Sequence, residues 1–97
     1  MKFQYFKVKH HQKKGVFVAV ADKDKFTIGW SLCKNKDKYN KETGIHIANI
    51  RAHEILAGFP CIGGVPHSMR DTYTHLIDKW KKYYKDRQFV ECETILQ

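Results

Sequence analysis

The thiol and imidazole groups of Cys33, His46, His53, Cys61, His67 and Cys92 have the chemistry to bind a metal or to attack an electrophile. A structural zinc site takes its ligands as close pairs, C-x-x-C or H-x-x-x-H, because two donors a few residues apart reach one ion without closing a long loop. The chain contains neither pair, and only His10-His11 and the distant His46 and His53 come near each other in sequence. No metal site is expected. A cysteine and a histidine can also act as nucleophile and base, and Cys61, in a glycine-rich stretch, is the candidate, but no local signature accompanies it. Gly63-Gly64 lacks the Lys-Ser or Lys-Thr that completes a phosphate-cradling loop. Neither a catalytic residue nor a cofactor is expected.

Cationic side chains give the strongest positive signal. Of 97 residues, positions 1–41 carry eleven lysines against Asp22, Asp24 and Asp37, whereas the remainder holds seven basic and seven acidic residues, so the net charge of +8 sits in the first two-fifths of the chain. Lys7, Lys9, His10, His11, Lys13 and Lys14 form one group, and Lys34, Lys36, Lys38 and Lys41 form a second around Tyr39. Lysines neutralise phosphates, and an exposed aromatic among them stacks on bases. A helix N-terminus near Thr43-Gly44 adds backbone N–H groups aimed at an anion. Arg51 offers a planar fork to phosphate or carboxylate, or else pairs with Asp37 to tie the basic loop to the helix. Such asymmetry points to nucleic acid or an acidic protein as the partner, while lysine-rich loops also serve to keep small domains soluble and sheet edges unpaired. No helix-turn-helix, zinc-finger or RNP-type motif that reads sequence is present.

These groups need a scaffold. Phe3 and Tyr5 occupy one parity and Phe6, Val8 and His10 the other, so a first strand with one bulge at Tyr5-Phe6 is expected. Gly15 is expected to supply a flexible turn, after which Val16, Val18 and Val20 alternate with Phe17, Ala19 and Ala21. That second strand reads as buried on both faces and central. A polar turn at Asp22-Lys23-Asp24-Lys25 leads to a third strand with Phe26, Ile28, Trp30 and Leu32 on one face. In such a meander the first turn and the loop after strand three lie at one end, which brings the two lysine groups together.

A helix is expected from Thr43 as cap, with Ile47, Ala48, Ile50, Ala52, Ile55 and Leu56 as its apolar stripe, the alanines allowing close approach, and Gly58 ending it. A second helix opens on a capping box of Ser68 and Asp71 and buries Met69, Tyr73, Leu76, Ile77, Trp80 and Tyr84, leaving Arg70, Asp71, Asp78, Lys79, Lys81, Lys82 and Lys85 outside. Phe89 to Leu96 is expected to rejoin the sheet; if it pairs beside the lysine-rich first strand, Glu91 and Glu93 find cross-strand partners there. The fold class is α+β: an antiparallel three- to four-stranded sheet packed against two helices, in the order β-β-β-α-α-β, with the helices covering one face.

The run Asp37-Lys38-Tyr39-Asn40-Lys41, then Gly44, then Ile47-Ala48-Asn49-Ile50-Arg51-Ala52 resembles a pattern in small uncharacterised accessory proteins of tailed bacteriophages. The resemblance covers about a quarter of the chain and implies a non-catalytic protein that binds and interferes with host enzymes or defence systems, by holding a host protein or sequestering a signalling nucleotide, in the host cytoplasm.

With 42% hydrophobic and 13% aromatic residues the chain has the material for a core and forms one domain, residues 1–97. No stretch nears the ~18 apolar residues of a membrane span, and Met1-Lys2 runs into a strand pattern instead of a signal-peptide core. Three widely spaced cysteines are expected to be free thiols of a reducing compartment, which makes the protein cytoplasmic. An exposed edge strand or the aromatic helix leaves a homodimer open.

Overall fold

The computed structural model describes residues 2–8, 13–33, 40–62 and 64–95, with side chains at 15–32, 40–61 and 64–93. Three long strands, β1 (Lys2–Val8), β2 (Lys13–Asp22) and β3 (Lys25–Cys33), form an antiparallel meander. Helix α1 (Lys41–Leu56) follows, then β4 (Cys61–Ile62), a 3-10 turn (His67–Met69), α2 (Arg70–Tyr83), β5 (Gln88–Phe89) and β6 (Thr94–Ile95). The sheet order is β1-β2-β3-β5, and β4 pairs separately with β6. The fold is α+β, as expected, but the sheet is mixed: β5 runs parallel to β3, beside Lys25 and Phe26. The terminal segment does rejoin the sheet, but at the edge opposite β1, so the condition for pairing Glu91 and Glu93 with the first strand is not met. Aromatic packing explains the choice of edge, since Phe26 meets Tyr84 at 5.0 Å and Phe89 at 5.3 Å between ring centroids.

The helices lie on opposite faces of the sheet, not on one. Directly paired residues of neighbouring strands share a face. Phe17 opposite Trp30 and Ala19 opposite Ile28 therefore fall on one side, where they cluster with Met69, Leu76, Trp80 and Tyr84. Val16 opposite Ser31, Val18 opposite Gly29 and Val20 opposite Thr27 fall on the other, against Ala48 and Ala52 of α1. Every residue from Val16 to Val20 is buried, as a central strand covered on both sides requires.

Double coverage also removes the need for a bulge in β1. Its pairing with β2 runs without interruption from Lys2 opposite Ala19 to Val8 opposite Lys13. Positions 3 and 5 keep the parity of Val18 and Val16, and positions 6 and 8 keep the other. A parity change that signals a bulge in a one-sided sheet is ordinary when both sides are apolar.

Two glycines matter through what surrounds them. Gly15 is not a turn residue but a buried part of β2: a Cβ there would stand 2.7 Å from the Ser31 carbonyl oxygen and 3.0 Å from Met69 Cε. At Gly29 the obstruction is the α1 main chain itself, with Ala52 N 2.7 Å from where a Cβ would be. The alanines of α1 thus let the helix rest directly on the β3 backbone.

Helix α1 is capped three residues earlier than expected, because the Asn40 side chain, not Thr43, caps it: Asn40 Oδ1 accepts from Thr43 N at 3.1 Å. At the other end Gly58 has φ of 92°, Gly58 N donates to Ile55 O and Phe59 N to Glu54 O, each at 3.0 Å, a Schellman closure. Ile47 and Ile50, expected in the buried stripe, are each 43% exposed, since the seating on Gly29 turns Ala48, Ala52 and Ile55 inward. For α2 the expected burial of Met69, Leu76, Trp80 and Tyr84 holds, and its charged face is exposed. The Ser68–Asp71 capping box is absent, because a 3-10 turn opens the helix and Met69, with no side-chain cap, stands at the N-cap.

Cys61 and Cys92 are joined in a disulfide, their Cα atoms 6.1 Å apart. They are therefore not free thiols, and Cys61, only 8% exposed, is not an available nucleophile. The pairing of β4 with β6, in which Cys61 N donates to Glu93 O at 2.8 Å, brings the two together across 31 positions of sequence. With two of three cysteines joined, thiol usage gives no support to a reducing compartment. Among the described residues no helix is long and apolar enough to cross a membrane.

Candidate functional site

The sheet register settles where the lysine-rich connections begin and end. Val8 pairs with Lys13, Lys7 with Lys14, and Lys14 in turn with Cys33. The connection between β1 and β2 and the one leaving β3 thus depart from the same end of the sheet. Helix α1 returns antiparallel to β3: Ser31 Oγ donates to Gly44 O at 2.8 Å near the helix start, and Gly29 lies under Ala48 and Ala52 further along. Its N-terminus, with Asn40 and the exposed Lys41, belongs to that same end.

Of the basic candidates, the backbone positions of Lys7, Lys13, Lys14 and Lys41 converge there. Lys9, His10, His11, Lys34, Lys36, Lys38 and Tyr39 lie outside the described residues, as does Asp37. Arg51 does not join the group. Ten residues beyond Lys41, it stands about 15 Å along the helix axis at ~1.5 Å per residue.

Arg51 instead covers the outer edge of β3. Because β5 pairs only with Lys25 and Phe26, the β3 edge from Ile28 to Leu32 has no strand beside it among the described residues. Arg51 Nη1 donates to Trp30 O at 2.5 Å, and the guanidinium lies 5.4 Å from the centroid of the Trp30 ring. A cleft of about 560 Å³ opens at this place, lined by Trp30, Leu32, Ile47, Arg51, Glu54 and Pro66 among others. Burial draws the Arg51 guanidinium below the usual arginine value, and the charge of Glu54 works in the opposite sense. Of the residues lining this cleft, Arg51 read as an anion fork and Cys61, here tied up in the disulfide, as a candidate nucleophile, whereas Trp30 and Leu32 read as strand residues and Ile47 as core.

Behind the cleft, Tyr73 of α2 stands edge-on to Trp30 at 5.8 Å and stacked with Phe17 at 6.2 Å. Desolvation, aided by the charge of Glu91, pushes its phenol up to about 12 from 10.0. The folded state thus favours the neutral phenol more than the unfolded chain does. The stability this confers is complete below about pH 10 and is lost as pH rises from 10 towards 12. Alkaline melting curves are expected to fall more steeply through that window for the wild type than for Tyr73→Phe, and coincident profiles would dismiss the effect.

Among the described residues no group of three or more His, Cys, Asp or Glu side chains is placed to hold a metal ion. Compared with known proteins, the chain matches no family model, no curated protein and no solved structure.

Proposed function

We propose that this is a small non-catalytic binding protein that contacts nucleic acid through the basic end of its sheet. The observation that carries the reading is the convergence of three things at one end: the lysine-bearing ends of β1 and β2, the end of β3 from which the second lysine run departs, and the N-terminus of α1. A surface of this kind attracts phosphates through charge and helix-end N–H groups, without selecting sequence. The net charge of +8 strengthens long-range attraction to a polyanion.

Fluorescence anisotropy with labelled single- and double-stranded DNA and RNA tests it. Affinity is expected to fall with salt, log K changing by roughly 0.9 per duplex phosphate contacted for each decade of salt. Changing Lys13, Lys14 and Lys41 together to alanine is expected to shallow that slope. Absence of binding at low salt sinks the proposal and turns attention to an acidic protein partner.

A further inference from the structure

We propose that the cleft beside the outer edge of β3 binds a small organic acid, its carboxylate held by Arg51 and its aromatic or branched apolar body lying against Trp30, Leu32, Ile47 and Pro66. The cleft is separate from the basic end, and the inference does not depend on nucleic-acid binding.

Its volume of about 560 Å³ suits a small molecule. Among the described residues Arg51 is the one cation lining it. A guanidinium has five N–H donors. Here Trp30 supplies the single acceptor, and no carboxylate lies within ion-pair distance of Arg51 among the described residues. None of its nitrogens is both fully buried and unpaired, so the remaining donors are open to solvent on a side chain that lines the cleft. The hydrogen bond to Trp30 O and the nearby indole hold the guanidinium in place before any ligand arrives, and a held planar fork fits a carboxylate through two parallel hydrogen bonds.

Glu54, one helical turn on and also lining the cleft, makes the site poor for a dianion such as phosphate and adequate for a single negative charge. The apolar walls give the ligand body somewhere to leave water.

Two-dimensional NMR on the full chain, following the indole N–H of Trp30 during titration with phenylacetate, phenylacetamide and inorganic phosphate, tests the assignment. For a ligand this small, saturation by phenylacetate is expected at roughly millimolar concentration. The neutral amide and phosphate are expected to leave the signal in place. N-acetylphenylalanine, which presents the carboxylate as a chain terminus does, tells whether peptide ends or free acids fit better; tighter binding of either upholds the shared chemistry.

Arg51→Met is expected to weaken phenylacetate at least about tenfold, and Glu54→Gln to tighten it about two- to fivefold, a gain that a merely structural residue would not give. If Arg51→Met fails to fold, Glu54→Gln and the exposed Ile47→Trp, which narrows the cleft, decide the matter. No saturable shift up to about 20 mM, equal affinity for the amide, or unchanged affinity in Glu54→Gln and Ile47→Trp overturns the proposal.

Discussion

Gly29→Ala is expected to destabilise the protein by about 3 kcal/mol or more. The added Cβ would fall against the carbonyl oxygen and carbon of Ala48 and the amide nitrogen of Ala52, all of them main-chain atoms. A long side chain in that place could swing away, but a helix backbone can yield only by moving as a body. Such movement would draw Ala48 and Ala52 off Val16, Val18 and Val20 and break the Ser31 hydrogen bond to Gly44. Ala48→Gly is not expected to rescue the variant, because it removes a side chain that is not the obstruction. Denaturant midpoints of the single and double variants measure this. A loss for Gly29→Ala below about 0.5 kcal/mol would mean that α1 is not seated on β3.

Removing the Cys61–Cys92 bond is expected to cost about 3 to 4 kcal/mol, the loop-closure value for a cross-link that spans about thirty residues. The closed segment contains all of α2, so the bond limits how far the unfolded chain can separate β4 from the terminal strand. Both cysteines belong to the larger core cluster, where serine would also leave hydroxyls among apolar neighbours, and Cys→Ala at both positions isolates the cross-link more cleanly. Urea curves with and without a dithiol reductant should separate for the wild type and coincide for the double variant. Non-reducing peptide mapping should recover the two cysteines in one linked product. Coincident wild-type curves would show that the cross-link contributes nothing to stability.

Periodicity carried most of the fold. Each of the three long strands, both helices and the Gly58 stop are visible as spacing of apolar residues and as turn chemistry, and the double-faced burial of β2 is written in Val16 to Ala21. What that burial implies, a helix on each side, follows from the same residues, because a strand apolar on both faces needs two covers. Assigning both helices to one face is what made a bulge seem necessary in β1.

The disulfide was hidden for a different reason. An odd cysteine count and a gap of 31 residues say nothing about proximity once two-residue strands fold the chain back on itself. Candidate sites divide the same way. The lysines of the basic end are legible as composition, and their convergence follows from the meander. The cleft exists only because β5 stops pairing after Phe26 and α1 passes beside the uncovered edge, so Arg51 could be read as a fork but not as the fork of that place.

Helix α1 meets its sheet through main chain, whereas α2 meets its own face through Phe17, Trp30, Met69, Trp80 and other large groups. Over evolutionary time the two sides of the sheet should therefore drift at different rates. The α2 side can exchange one bulky residue for another of similar volume and repack, but where α1 crosses Gly29 there is no side-chain volume to trade, and Gly29 must be kept or the helix lifts off its valines.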